Sequence, residues 1–144
     1  GFINCSKGWE YTLYEKDSNQ TVVGSEITNL EPGRGYWVSL SGIEKNEWVD
    51  VEIDGVALTT PITIDNLTLY SGWNSVGVSI PVIISETELP EQIAAIWGWE
   101  KYWVSHVDGV PIFLNSLQSL DQNKGYFVYS DAASSGATSC ENAH

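Results

Sequence analysis

Apolar and polar residues alternate along much of this chain, and the alternation predicts strands. The clearest stretch is 48–53, where three β-branched residues alternate with Trp48, Asp50 and Glu52. A period of two places the two sets on opposite faces of a strand. A face that bears two carboxylates is normally solvated, so the Trp48 indole is predicted to be exposed beside Asp50 and Glu52.

One segment has the features of a helix instead. Thr87 or Glu88 can cap its first turn, Pro90 suits an early helical position, and an apolar stripe follows through Ile93 and Ile96. The sequence therefore predicts one short helix near 88–96. A second local signal is Asp108-Gly109 between two apolar runs, which predicts a hairpin joining 103–107 to 110–113.

The chain also repeats itself in register and without a gap. Gly8-Trp9 matches Gly98-Trp99, and Gly35-Tyr36 matches Gly125-Tyr126. Glycines and aromatic residues that recur at a constant spacing repeat a packing unit. We therefore predict a single all-β domain, a sandwich or barrel-like structure of two pseudo-symmetric halves. The predicted domain spans 1–144. Within it lie the repeat copies at 8–40 and 98–130, intervening strands at 46–84 and a loose tail at 132–144.

The charge balance excludes several classes of partner. The formal net charge is −13, with 6 Lys and Arg against 19 Asp and Glu. Nucleic-acid binders need a basic surface, and anionic lipid repels an acidic one. No apolar run approaches the roughly 20 residues of a membrane span. We expect neither nucleic acid as a partner nor membrane insertion.

Compartment and context are predicted from two residue types. Cys5 and Cys140 lie near opposite ends, and we predict a disulfide between them, which indicates an oxidising compartment. The alternative is two unrelated thiols. The sequence contains no methionine, which suggests a processed protein or part of a larger one with flanking domains.

Short phrases in both copies resemble those of a bacterial family. The phrase Gly72-Trp73-Asn74, the stretch 124–128 and its counterpart 34–38 resemble bacterial secreted and surface β-repeat modules. Such modules often stand beside adhesion or polysaccharide-degrading domains. The resemblance implies an accessory module, secreted or at the bacterial cell surface, and supplies no catalytic residues.

No catalytic motif is recognisable in the sequence. It has no Gly-x-Ser-x-Gly elbow, no glycine-rich phosphate loop and no His-Glu-x-x-His helix. His106 is the one histidine outside the tail, and a lone histidine on a strand is usually a surface residue rather than a base. We therefore expect the protein not to be an enzyme.

Aromatic residues are the most informative class for function. Seven Trp and seven Tyr exceed what a small core needs. Those that recur in both copies, such as Trp99, Tyr126 and Phe127, are predicted to pack in the core. Trp97 and Trp103 have no aromatic counterpart, so they are better candidates for a site. Trp97 and Trp99 would share a strand face only if that stretch is extended.

The predicted function is a non-catalytic extracellular module that binds a polysaccharide or glycan. Indoles stack on the apolar C–H face of a sugar, and carboxylates accept hydrogen bonds from its hydroxyls. No cofactor is required. The alternative is that the carboxylates of Asp50, Glu52 and Asp54 bind calcium. The alternative function is a structural or adhesive repeat without a small ligand. The candidate ligand-binding residues are Trp48, Asp50, Glu52, Trp97 and Trp103.

Overall fold

The structure is a computed structural model that describes residues 30–36, 44 and 54–134, together with the backbone of four short strands before them. Within these ranges the chain forms ten strands and three 3-10 turns, and it forms no α-helix. The strands are β1 (Ile3–Asn4), β2 (Gly8–Trp9), β3 (Leu13–Tyr14), β4 (Val22–Val23), β5 (Gly72–Val76), β6 (Val82–Ile83), β7 (Ile93–Trp99), β8 (Trp103–Val107), β9 (Ser119–Leu120) and β10 (Tyr126–Ser130). The 3-10 turns are Ile64–Asn66, Ile84–Glu86 and Ile112–Leu114. The all-β prediction is confirmed.

The largest sheet has four antiparallel strands in the order β5-β10-β7-β8. Strand β10 lies inside it, and its residue Phe127 pairs with Ser75 on one side and Trp97 on the other. The remaining described strands form antiparallel pairs, β1 with β2, β3 with β4, and β6 with β9. This sheet positions the aromatic side chains described below.

One face of this sheet covers the hydrophobic core. In β10 the side chains of Tyr126 and Val128 are buried, whereas those of the alternate residues Phe127 and Tyr129 are more exposed. This alternation is expected of an antiparallel sheet with only one face covered. The buried residues that pack together are Ile64, Leu67, Leu69, Val76, Val78, Val82, Ile84, Ile93, Ile96, Val104, Leu117, Leu120, Tyr126 and Val128.

The Gly-Trp-Asn phrase has a structural explanation at the start of β5. The Asn74 amide oxygen accepts a hydrogen bond from the Tyr70 backbone N–H at 2.8 Å, and its amide nitrogen donates to the Tyr70 carbonyl at 2.8 Å. Gly72 between them has a φ of 98°, which a residue with a Cβ rarely adopts. The buried Asn74 side chain therefore closes the loop that leads into the sheet.

The predicted helix near 88–96 is wrong. The Ile93 N–H donates to the Pro90 carbonyl at 2.9 Å, which closes a turn, and β7 begins at Ile93. Ser130 pairs with Ile93 and Tyr129 pairs with Ala95, so Ala94 is an extra residue, a β-bulge. The bulge lets Ile93 and Ile96 face the core although they are three residues apart. Their spacing therefore imitates a helical stripe.

The predicted hairpin is correct in its turn and wrong in its second arm. The Val110 N–H donates to the Val107 carbonyl at 3.3 Å, and Gly109 has a φ of 75°. Strand β8, however, pairs with β7, and the chain after the turn forms the 3-10 turn Ile112–Leu114. Pro111 has no N–H to contribute to a ladder, which disfavours a strand directly after the turn.

The two copies adopt the same local structure at their closing loops, residues 30–36 and 120–126, which we call the twin loops. In one, the Glu31 backbone N–H donates to the Tyr36 hydroxyl at 2.8 Å. In the other, the Asp121 N–H donates to the Tyr126 hydroxyl at 2.7 Å. Both loops also contain a residue with positive φ and an ion pair spaced three residues apart. These shared features are Gly33 (79°) with Asn123 (67°), and Arg34–Glu31 (3.7 Å) with Lys124–Asp121 (3.0 Å).

The copies differ outside the twin loops. In the first copy, β3 pairs with β4, which is Val22–Val23. The matching residues of the second copy fall in the 3-10 turn Ile112–Leu114, and β8 pairs with β7 instead. Among the described residues, the repeat in the sequence therefore corresponds to a repeat in structure over the twin loops and not at the second arm of the hairpins.

Candidate functional site

The face of the four-stranded sheet opposite the core carries a cluster of aromatic side chains. Trp97 and Trp99 extend from β7, Trp103 from β8 and Phe127 from β10. Trp99 pairs with Trp103, and Trp97 pairs with Phe127, so cross-strand neighbours bring the four together. We call these four residues the aromatic face.

The indoles of the aromatic face are accessible although they touch one another. The exposed fraction is 36% for Trp97, 50% for Trp99 and 47% for Trp103, and Phe127 is half-buried. Large aromatic side chains bury 150–250 Å² each when they pack in a core. Several that remain half exposed in one contiguous patch are typical of a binding surface.

Trp103 is the centre of the cluster. Its ring centroid lies 5.3 Å from that of Trp99 and 6.3 Å from that of Trp97, with interplanar angles of 74° and 70°. The Phe127 ring lies 6.2 Å away at an angle of 42°. Edge-to-face contacts of this kind are favourable because the positive edge of one ring meets the negative face of the other. The Trp103 ring is therefore tilted against all three of its neighbours and forms a flat platform with none of them.

A second aromatic pair extends the same side of the sheet. Trp73 on β5 pairs with Tyr129 on β10, and their rings meet edge to face at 5.2 Å. Tyr129 lies two residues beyond Phe127 on the same strand, so both side chains point to the same side. Both Trp73 and Tyr129 are exposed. Aromatic side chains thus occupy this side of the sheet near both ends of β10.

A groove of about 180 Å³ is lined by all four residues of the aromatic face and also by polar residues. Lys124 lines it, and the Lys124 ammonium contacts Asp121 at 3.0 Å and Glu100 at 3.4 Å. The hydrogen bond to Asp121 is the main cause that raises the pKa of Lys124, so the amine stays protonated. Tyr36 also lines the groove, so residues from both copies surround it.

The outcome for the predicted site residues is mixed. Trp97 and Trp103 lie in one cluster. The stretch that contains Trp97 and Trp99 is extended, because it belongs to β7, so these two indoles share a strand face. The predicted ligand-binding residues Trp48, Asp50 and Glu52 lie outside the described residues, as do Cys5 and Cys140.

Recurrence in both copies was an unreliable guide to burial. Tyr126 is buried as predicted, with 4% of its surface exposed, but Trp99 is half exposed and its predicted place in the core is wrong. Trp73 was not among the predicted ligand-binding residues, because the Gly72-Trp73-Asn74 phrase was interpreted as a feature of the fold. The strand period in Trp97-Gly98-Trp99 was the signal that could have assigned Trp99 to the same face as Trp97.

The other candidate groups lie elsewhere. His106 pairs with Ile96 across β7 and β8, and its side chain lies on the core side of the sheet, away from the aromatic face. The His106 Nδ1 atom is buried and has no hydrogen-bond partner in the described structure. Among the described residues no three His, Cys, Asp or Glu side chains are grouped to hold a metal ion, and Asp54 is exposed.

No protein-family model, characterised protein or solved structure matches this chain. The described part of the chain also contains no helix with the length and apolar character needed to cross a bilayer.

Proposed function

We propose that this protein is a non-catalytic glycan-binding module of a secreted or surface-exposed bacterial protein, and that the aromatic face is its binding site. The observation that carries the proposal is the exposure of Trp97, Trp99 and Trp103 together on one sheet face. The contribution of Trp48, Asp50 and Glu52 to the same function remains part of the proposal.

The proposal follows from the chemistry of sugars. A pyranose has an apolar C–H face, which an exposed indole can cover, and an edge of hydroxyls, which needs donors and acceptors. The aromatic face supplies indoles. At its border, the Lys124 ammonium can donate to hydroxyl oxygens, and the Glu100 carboxylate can accept from hydroxyl protons. Both kinds of contact are therefore available within one surface.

The backbone of the site favours binding without a large loss of entropy. Trp97, Trp99 and Trp103 project from β7 and β8, which are hydrogen-bonded to each other over five residue pairs. The edge-to-face contacts further restrict the indole side chains. A ligand that meets preordered side chains pays less for ordering them.

The test is a titration of the protein with soluble polysaccharides, followed by tryptophan fluorescence and calorimetry. Trp97→Ala and Trp103→Ala are each expected to weaken binding about five- to thirty-fold, since each removes a stacking surface of the order of 1–2 kcal/mol. Phe113→Ala is the matched control, because Phe113 is 81% exposed on a 3-10 turn and does not line the groove. Binding that survives both tryptophan substitutions, or no binding to any polysaccharide, would refute the proposal.

A structural or adhesive repeat is the second candidate, and the twin loops favour it. A Cβ at Gly125 would lie 3.5 Å from the Gly35 Cα atom, so the two loops pack against each other. Together with their matching tyrosine hydrogen bonds, this contact supports a sandwich or barrel-like arrangement of two pseudo-symmetric halves. This candidate predicts concentration-dependent assembly in analytical ultracentrifugation, or a higher melting temperature when flanking domains are present.

The proposed extracellular location includes a disulfide between Cys5 and Cys140. Mass spectrometry of the intact protein without reductant tests it directly. A bridged chain is lighter than the free dithiol by the mass of two hydrogen atoms, and free thiols would remove this support for an oxidising compartment.

A further inference from the structure

We infer that the aromatic face binds a single, uncharged glycan chain, at one site per molecule, and that it does not adsorb to flat crystalline polysaccharide or to acidic glycans. The inference rests on the proposed function and deepens it by naming the class of ligand. Ring geometry, charge and the asymmetry of the repeat each support one part of it.

Ring geometry argues against a flat ligand. A crystalline face can cover two aromatic rings at once only where their planes are nearly parallel. The Trp103 ring is tilted by 70° from Trp97 and by 74° from Trp99, so it cannot lie flat beside either of them. A single chain can rotate about its glycosidic bonds and present successive sugars to rings of different orientation. Because Trp103 is the centre of the cluster, its tilt favours a flexible chain over a flat surface.

The size of the groove supports the same conclusion. Its volume of about 180 Å³ is smaller than the 300–1,000 Å³ typical of sites that enclose a drug-sized ligand. The groove, which the rings of the aromatic face line, can hold a small part of a ligand, and the remainder would extend along the aromatic side of the sheet. A chain that extends from Trp99 towards the pair Trp73 and Tyr129 would follow the aromatic side of the sheet.

Charge argues against an acidic ligand. The chain has a formal net charge of −13. The cation at the groove, Lys124, already contacts the carboxylates of Asp121 and Glu100. A uronic-acid chain would therefore meet an overall negative field and a lysine whose charge is balanced by its neighbours. Hydroxyl groups carry no such penalty, so neutral sugars are favoured.

The asymmetry of the repeat predicts one site. In the first copy, the residues that correspond to Trp97 and Trp103 are Lys7 and Leu13. The first copy therefore lacks two of the three indoles that form the aromatic face, including the central one. A glycan should consequently bind with a stoichiometry of one per chain, although the twin loops are alike.

The test is isothermal titration calorimetry at about 0.15 M salt with hexasaccharides of glucose, xylose and mannose, and with hexagalacturonate as the acidic probe of equal length. At least one neutral hexasaccharide is expected to bind with a stoichiometry near one, and hexagalacturonate at least about ten-fold more weakly. A co-sedimentation assay with microcrystalline cellulose is expected to retain no more wild-type protein than Trp103→Ala protein.

A charge variant provides a second readout. Asp121→Asn removes one of the carboxylates that balance Lys124, so the affinity for hexagalacturonate is expected to rise about two- to five-fold, as for a surface ion pair. Circular dichroism checks that this variant is folded, because the Asp121 backbone also takes part in a twin loop.

The outcomes separate the two proposals. Hexagalacturonate binding as tight as that of the neutral chains, tryptophan-dependent retention on microcrystalline cellulose, or a stoichiometry of two would overturn the inference and leave a glycan-binding function in place. No tryptophan-dependent binding to any of these probes would overturn the proposed function and the inference together.

Discussion

The twin loops offer a comparison within one molecule, because each contains a tyrosine hydroxyl that accepts a backbone hydrogen bond. Tyr126→Phe removes the acceptor of the Asp121 N–H, and Tyr36→Phe removes the acceptor of the Glu31 N–H. The two substitutions are chemically identical and act at matching positions of the repeat. We expect Tyr126→Phe to be the more destabilising of the two.

The expected difference follows from burial. Tyr126 is 4% exposed and its partner Asp121 is half-buried, so water has little access to the abandoned N–H. An unsatisfied buried donor costs about 1–3 kcal/mol, and we expect about 1.5 kcal/mol here. Glu31 is exposed, so water can replace the Tyr36 hydroxyl, and the cost there should be about 0.5 kcal/mol or less.

The assay is thermal and urea unfolding of the wild type and both variants at neutral pH. For a domain of this size, the expected losses correspond to melting temperatures lower by roughly 4–6 °C for Tyr126→Phe and under about 2 °C for Tyr36→Phe. The urea m-value should stay unchanged, which would show that the denatured state is unaffected. Equal losses, or a larger loss for Tyr36→Phe, would refute the reasoning from solvent access.

Two further predictions concern the same region. Gly35→Ala is expected to cost at least about 2 kcal/mol of unfolding free energy, because a Cβ at Gly35 would lie 2.7 Å from the Val76 carbonyl oxygen, a backbone atom that cannot easily move. The control is Gly55→Ala, since a Cβ there would have nothing within 4 Å. In urea titrations the control should change the unfolding free energy by less than about 0.5 kcal/mol. Burial is the main cause that raises the pKa of Tyr126 above 10.0, so its stabilising contribution should be fully present below that pH and be lost as the pH rises through the raised folded-state pKa. Unfolding free energies measured between about pH 9 and pH 11 should therefore fall more steeply for the wild type than for Tyr126→Phe, and parallel curves would contradict this assignment.

The candidate site shows that recurrence of a residue in both copies does not by itself predict whether its side chain is buried. Tyr126 and Trp99 both recur in the first copy, yet Tyr126 is buried and Trp99 is half exposed. Recurrence identifies residues that the fold reuses, but it does not say which face of a strand they occupy. That choice depends on the register of β7 against β8 and β10, which is set by pairing between segments distant in sequence.

The sequence by itself determined the strand-rich class, the turn at Asp108-Gly109 and the matching twin loops, because glycine placement and the alternation of side chains act over a few residues. Only the tertiary structure decided that 93–99 is a strand. There a β-bulge at Ala94 places Ile93 and Ile96 on the same face of the strand, so a spacing that is typical of a helix occurs in a strand. The same pairing assembled Trp97, Trp99, Trp103 and Phe127 from three strands, a juxtaposition that depends on contacts across strands and that no local pattern encodes.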